Sequence, residues 1–141
     1  MACLNQTVQN PTPTTQNRGY IYETLSKIDQ MQKAATVQSA CEGCEGSLIS
    51  AFYNTKPITC YLCCGNTYTV TIPEAGSTAT TNVFRIENIK NDCVILRLIT
   101  TTDNAFTCTN YTTILKIDCI CGLQCYAPIC CDACTGTCGN N

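Results

Sequence analysis

The segment "NVFRIENIKNDCVILRLIT", residues 82–100, carries the clearest strand pattern of the chain. Its first half alternates, with Phe84 and Ile86 on one face and polar side chains on the other, as in a half-buried strand. Its second half is apolar on both faces apart from Arg97, which is typical of a central strand. The polar residues 88–92 between the two halves indicate a turn. We therefore predict two adjacent strands, the second of which lies inside a sheet.

The polar face of the first predicted strand carries Arg85 and Glu87, two residues apart. Both side chains are placed to meet Arg97 on the next strand. Two interpretations are open at this point: a cross-strand pair at the protein surface, and a contact between subunits.

Four further segments have the character of strands, namely residues 48–54, 58–64, 67–73 and 111–121. Gly65-Asn66, between the second and third of these segments, is a two-residue hairpin signal. Residues 74–81 have the composition of a loop. In the last segment, alternation places four side chains on one face: Leu115, Ile117, Cys119 and Cys121.

Residues 20–39 have a different period. Apolar side chains recur there at helical spacing: Ile21, Leu25, Ile28 and Met31. This spacing predicts one amphipathic helix whose apolar face covers the sheet.

Together these patterns predict a mainly β protein, an antiparallel β-sandwich or barrel-like domain with one N-terminal helix. We expect a single domain over residues 20–126, with its helix at 20–39. Residues 1–19 are polar and interrupted by proline, which predicts a flexible arm. Residues 127–141 have no period and form a cysteine-rich tail.

The composition excludes several partners. Charged residues make up 13% of the 141 residues and the net charge is −2, whereas an ordinary soluble domain has roughly 25% charged residues. No basic face is available for nucleic acid or an anionic membrane, and no apolar run is as long as a membrane span. A surface with so little net charge favours association with other copies.

The N-terminal sequence "MACLNQ" has neither the basic region nor the apolar region of a secretory signal. We expect synthesis in the cytoplasm, where cysteines usually bind metal or act in catalysis. The chain nevertheless has 15 cysteines. Because this count is odd, complete pairing within one chain would leave one thiol over.

Catalytic signatures are missing from the sequence. A cysteine nucleophile normally needs histidine as its base, and the chain contains none. There is no glycine-rich phosphate loop and no serine elbow, and the C-x-x-C pairs lie among strands and turns rather than at the start of a helix. We therefore predict that the protein is not an enzyme and has no cofactor.

Zinc binding is the strongest alternative. Cys41 and Cys44 are followed by Cys60 and Cys63, and this spacing lies within the range of zinc ribbons. Four thiolates satisfy tetrahedral zinc. One ion, however, leaves most of the other cysteines unexplained, so a zinc-stabilised cytoplasmic binding module is the second hypothesis.

Covalent cross-linking is the first hypothesis. Adjacent cysteines on a strand point to opposite faces, so Cys63-Cys64 and Cys130-Cys131 suit a protein that bonds inward and outward. The arm carries Cys3 and can extend about 3.3 Å per residue. The candidate cross-linking residues are Cys3, Cys41, Cys44, Cys60, Cys63, Cys64, Cys119, Cys121, Cys125, Cys130, Cys131, Cys134 and Cys138.

Two segments in order resemble the cysteine-rich spore coat and exosporium family (CotY/CotZ/ExsY-like). The first, "FRIE" at residues 84–87 followed by Cys93, Leu96, Arg97 and Leu98, is similar to the family's F-R-V-E, acidic turn and C-x-x-L-R-x-L. The second, "CICGLQC" at residues 119–125, is similar to its closing C-F-C-A-I-Q-C. The resemblance covers about residues 20–125. The chain lacks the histidine-rich terminus frequent in the family.

The resemblance implies a structural protein without enzymatic activity, which assembles with itself, and with other cysteine-rich spore-layer proteins, into a lattice or filament. Intermolecular disulfides would harden that layer. The resemblance also implies synthesis in the mother-cell cytoplasm without a signal peptide, and deposition on the spore surface as coat or exosporium. Oxidising conditions would follow when the mother cell lyses.

Overall fold

The computed structural model describes residues 19–39 and 53–131 of the chain. Within these ranges, one helix precedes a series of strands. The elements in chain order are α1 (Gly19–Ser39), β1 (Ile58–Leu62), β2 (Val70–Thr71), β3 (Thr80–Thr81), β4 (Val83–Lys90), β5 (Cys93–Thr102), β6 (Ala105–Lys116), a 3-10 helix (Ile117–Cys119) and β7 (Ile120–Cys125).

Five strands form one antiparallel sheet in the order β6-β5-β4-β1-β7, and β2 and β3 form a separate two-stranded pair. The large sheet is open, because β6 and β7 are its two edges. The predicted class, mainly β and antiparallel with one N-terminal helix, is confirmed, and of the predicted architectures the closed barrel does not occur. In the described part of the chain, no helix is both long enough and apolar enough to span a membrane.

The hairpin of β4 and β5 confirms the two strands predicted from residues 82–100. Phe84 pairs with Leu98 and Ile86 with Leu96, and all four side chains are buried on the core face. The turn is shorter than predicted, because Lys90 already pairs with Cys93. Asn91 has a φ of 59°, a left-handed conformation that asparagine tolerates better than most residues.

The next hairpin joins β5 to β6 through Asp103 and Asn104, with φ values of 54° and 65°. Positive φ at both central residues is the geometry of the type I′ turn, which matches the twist of paired strands. The start of β6 at Ala105 was not predicted from the sequence.

The single strand predicted over residues 111–121 is wrong. A 3-10 helix interrupts it at Ile117–Cys119, where the Ile117 amide donates to the Asp92 carbonyl at 2.8 Å. The break is required because β6 and β7 lie at opposite edges of the sheet, so the chain must cross between them. Of the four side chains predicted on one face, Leu115 and Ile117 are buried and Cys119 packs against the core, whereas Cys121 is exposed.

The chain reverses after β1 at the predicted Gly65-Asn66 turn. Gly65 has a φ of +102°, and the Leu62 amide donates to the Asn66 carbonyl at 2.8 Å. The following strand β2 is much shorter than the predicted segment 67–73, and it pairs with β3 in the segment predicted as a loop. The predicted strand at 48–54 lies outside the described residues except for its last two, which belong to no strand.

Helix α1 confirms the predicted helix and corrects one of its inward positions. Leu25 and Ile28 are buried against the sheet, whereas Met31 is 51% exposed. Gln32 takes the inward position instead: its Nε2 donates to the Ile86 carbonyl at 2.7 Å, and its Oε1 accepts from the Lys56 amide at 2.9 Å. A buried amide with both ends satisfied is tolerated at a core position.

The core lies between α1 and one face of the sheet, and Ile72 after β2 closes it. The other face is covered by residues 53–57 and 126–131, which contact each other through an isolated bridge between Thr55 and Ile129. The predicted tail therefore begins with a packed segment up to Cys131, which is 2% exposed. The rest of the tail and the arm before Gly19 lie outside the described residues.

Candidate cross-linking site

A buried ionic cluster lies on the face of the sheet that residues 53–57 and 126–131 cover. Arg85 Nη1 and Arg97 Nε both donate to Oε2 of Glu87, at 2.8 and 2.7 Å. The two arginine side chains are only 6% exposed. The three side chains predicted to meet do meet, but the predicted location at the surface is wrong, because residues 53–57 and 126–131 cover them.

Charge and hydrogen bonding keep Glu87 ionised. Its partial burial opposes ionisation, but hydrogen bonds and positive charge from Arg97 and Arg85 outweigh that effect, and the pKa of Glu87 is lowered. Arg85 also binds the covering segment, since its Nε donates to Thr55 Oγ1 at 2.7 Å and its Nη2 to the Asn54 carbonyl at 3.3 Å. The cluster therefore attaches the covering segment to the sheet.

One disulfide closes the turn after β1 onto β7. Cys63 is bonded to Cys121, with Cα atoms 4.8 Å apart, a separation typical of disulfides. The Cys63 amide also donates to the Cys119 carbonyl at 3.1 Å. This pair fixes the edge strand β7 to its neighbour.

A second disulfide fixes the covering segment to the other edge strand. Cys108 on β6 is bonded to buried Cys131, with Cα atoms 5.6 Å apart. Cys131 is also held by Asn54, whose Oδ1 accepts from the Cys131 amide at 2.9 Å and whose Nδ2 donates to its carbonyl at 3.0 Å. The sequence leaves open whether Cys108 is a small buried side chain or part of an internal disulfide, and only the geometry of the folded chain identifies Cys131 as its partner.

The two members of each adjacent cysteine pair differ in exposure. Cys131 is buried while Cys130 is exposed, and Cys63 is half-buried while Cys64 is exposed. Cys64 and Cys130 are each part of a disulfide as well.

Four described cysteines are free, and their surroundings differ: Cys60, Cys93, Cys119 and Cys125. Cys60 is fully buried, and this burial, with a smaller contribution from Cys125, raises the pKa of its thiol to about 12. A protonated, buried thiol does not act as a nucleophile. Cys93 and Cys119 are half-buried.

Cys125 is the exposed member of this group. It is the last residue of the edge strand β7, where it pairs with Ile58 of β1. Its side chain lines a groove of about 500 Å³ between β7 and the first half of α1. Among the described cysteines, Cys125 combines a free thiol with access from solvent and with neighbouring surface that a partner can contact.

Two of the four proposed zinc ligands, Cys60 and Cys63, lie within the described residues, and their environments differ. Cys60 points into the core as a protonated thiol, while Cys63 is bonded to Cys121. The described residues contain no group of three or more cysteine, aspartate or glutamate side chains placed to hold a metal. Cys41 and Cys44 lie outside the described residues, as do three other cross-linking candidates, namely Cys3, Cys134 and Cys138.

A second exposed feature lies at the opposite edge of the sheet. Ile114 of β6 is 64% exposed and pairs directly with half-buried Ile95 of β5. Their side chains point away from the core, because the adjacent residues Val94 and Leu115 are buried.

The chain matches no protein-family model, no curated protein and no solved structure.

Proposed function

We propose that this protein is a structural, self-assembling component of the outer layer of a bacterial spore, the coat or the exosporium. Copies of the chain associate into a lattice or filament through their folded surfaces, and intermolecular disulfides then make the association permanent. The protein performs no catalysis and needs no cofactor. It is made in the mother-cell cytoplasm without a signal peptide and is deposited on the spore surface.

The observation that carries the self-assembly is the apolar pair of Ile95 and Ile114 beside an open sheet edge. Within the described residues, no strand is hydrogen-bonded to the outer side of β6. The register with β5 shifts between Cys108 and Thr112 of β6, and the second half of β6, from Thr112 to Lys116, pairs with β5 without interruption. An edge of this kind is a template for another chain, and an exposed isoleucine there favours the pairing.

Two further properties support the proposal. The net charge of −2 gives little repulsion between copies. The internal disulfides fix both edge strands to the domain, which preserves the shape of a surface that must match its neighbour. The assignment to a spore layer rests on the sequence resemblance at residues 84–98 and 119–125.

Electron microscopy of the purified protein under reducing conditions tests the self-assembly. We expect ordered arrays or filaments, because folded surfaces and not disulfides create the contacts. Substituting Ile114→Lys should abolish them, since the new charge removes apolar contact and lies beside Lys116 on the same face of β6.

The matched control is Ala34→Lys, which adds the same charge at an exposed position of α1, a helix that packs against β4 and β7. This variant should assemble like the wild type. A protein that stays monomeric in every condition, or arrays unaffected by Ile114→Lys, would contradict the proposal. Stoichiometric zinc in the purified protein, lost together with the fold on chelation, would instead favour the zinc-binding module.

A further inference from the structure

The groove at Cys125 combines a free thiol with exposed apolar surface. One wall is the first three turns of α1 and the other is the end of β7, and the groove encloses about 500 Å³. Two of the largest exposed apolar side chains of the described chain line it, Tyr20 at 80% and Met31 at 51% exposure. Tyr22, Lys27 and Lys56 complete its main walls. Exposed apolar side chains beside a free thiol suit a partner that carries both an apolar segment and a thiol.

The chain itself contains a segment of this chemistry. Residues 1–4 read Met-Ala-Cys-Leu, so that Cys3 is flanked by apolar side chains. The residues that follow, up to position 17, are mostly polar and include no charged side chain. Insertion of Ala2, Cys3 and Leu4 into the groove therefore buries apolar side chains and no charged side chain of the inserted segment.

The distance is also sufficient. Cys3 lies 16 residues before Gly19, the first residue of α1 (19 − 3 = 16). An extended chain of that length spans about 50 Å. This exceeds what is needed to leave one domain and enter the groove of an adjacent one.

We propose that the groove binds residues 1–4 of a second copy of this chain, and that Cys125 forms a disulfide with Cys3 of that copy. This inference rests on the proposed function and names the covalent contact that would stabilise the assembly. Every copy provides one segment and one groove. Contacts of this kind can link one copy to the next through an array.

The chemistry requires an oxidant, and a small-molecule disulfide RSSR supplies it. Cys3 first exchanges with RSSR to give a mixed disulfide and one RSH. The Cys125 thiolate then attacks the Cys3 sulfur, and the second RS⁻ leaves and takes up the proton that Cys125 lost. In sum, two protein thiols are oxidised, one RSSR is reduced to two RSH, and one bond joins the two copies.

Complementary variants test the proposal. Cys3→Ser is prepared with heavy isotopes and Cys125→Ser with natural ones, and the two are mixed in oxidised glutathione. Only a heavy chain's Cys125 and a light chain's Cys3 can form the proposed bond. We expect peptide mass spectrometry to find this hybrid disulfide in the mixture, and to find heavy–light hybrids of the same peptide pair when labelled and unlabelled wild type are mixed. Cys93→Ser, which removes a half-buried free thiol, should leave the yield unchanged.

A second variant separates the groove from the thiol. Met31→Glu keeps Cys125, and position 31 is exposed on a helix where glutamate is tolerated. The rate of the Cys3–Cys125 bond should fall about tenfold, the effect of losing one apolar contact. Wild-type protein without this bond, with the bond only inside one chain, or with a rate unchanged by Met31→Glu would overturn the inference. Arrays that persist in reductant would show that self-assembly holds even when this inference fails.

Discussion

Arg85 and Arg97 lie directly opposite each other on β4 and β5, and both guanidinium groups bind the same oxygen of Glu87. Two like charges in direct cross-strand register destabilise a sheet unless a counter-charge lies between them. Here the carboxylate supplies it, and backbone and hydroxyl acceptors from residues 54, 55 and 109 take up further donors of the two arginines. The cluster therefore connects the sheet, its covering segment and β6.

Loss of the shared carboxylate should destabilise the protein strongly. Glu87→Gln keeps the shape of the side chain but leaves two buried positive charges without a counter-ion. We expect the free energy of unfolding to fall by about 3 kcal/mol, as measured by chemical denaturation. Glu23→Gln, on the exposed side of α1, is the control and should change it by less than about 0.5 kcal/mol. Equal effects of the two substitutions would contradict the role given to the cluster.

The same carboxylate gives a defined pH dependence. The pKa of Glu87 is lower in the folded protein than in the unfolded chain, so its ionised form favours folding. That contribution is complete above the ordinary glutamate pKa of about 4.3. It is lost as the pH falls through the lower pKa of the folded state. Acid titrations should therefore show a stability loss below about pH 4.3 that is smaller in Glu87→Gln than in the wild type.

Gln32 should contribute to the free energy of unfolding, whereas Met31 should not. Gln32→Leu removes the donor to the Ile86 carbonyl and the acceptor of the Lys56 amide. The loss of two buried hydrogen bonds should reduce the free energy of unfolding by about 2 kcal/mol. Met31→Gln changes an exposed neighbour on the same helix and should have an effect below about 0.5 kcal/mol. Thermal or denaturant unfolding of both variants decides this, and the reverse order of effects would show that the helix face is assigned wrongly.

The free thiols should differ in reactivity. An aromatic disulfide reagent at neutral pH should modify Cys125 rapidly, because this thiol is exposed. Cys60 should react only when the protein unfolds, since burial removes access and raises the pKa of its thiol to about 12. Peptide mapping after timed labelling identifies each site, and Cys125→Ser should remove the rapid labelling of the β7 peptide. Comparable rates at the two cysteines in folded protein would contradict the described core.

The disulfides Cys63–Cys121 and Cys108–Cys131 should stabilise different regions. Paired serine substitutions at Cys63 and Cys121, or at Cys108 and Cys131, should each lower the free energy of unfolding by about 3–4 kcal/mol. Amide hydrogen exchange separates them. Serine at Cys108 and Cys131 should increase amide exchange in residues 126–131 and leave β1 and β7 protected. Serine at Cys63 and Cys121 should instead increase amide exchange in β7. If amide protection fell by the same amount in all strands of both variants, the disulfides would not stabilise the two edge strands separately.

The sequence predicts the centre of the fold well, because its signals there are local. In β4 and β5 the alternation of apolar and polar side chains directly reflects which face is buried. The helix and the Gly65-Asn66 turn follow from spacing and from the left-handed conformation that glycine adopts easily. These elements need no knowledge of distant residues.

The errors arise where distant contacts decide the structure. The apolar period continues through Ile117, so nothing local shows that the chain leaves β6 and crosses to the other edge. Met31 is predicted inward because it is apolar, whereas Gln32 takes the inward position because β4 and the segment before β1 provide partners for its amide. The burial of Arg85 and Arg97 likewise depends on a covering segment that a disulfide holds in place. Disulfide pairing itself cannot be read from cysteine spacing.

The central claim is that sulfur joins one copy of this chain to another after folding. The most direct measurement mixes isotope-labelled and unlabelled protein, allows assembly in reductant, oxidises the assemblies and maps every disulfide by mass spectrometry. The account predicts disulfides that join a labelled peptide to an unlabelled one, together with Cys63–Cys121 and Cys108–Cys131 within single chains. Disulfides found only within chains, or cysteines found as thiols or metal ligands throughout, would contradict it.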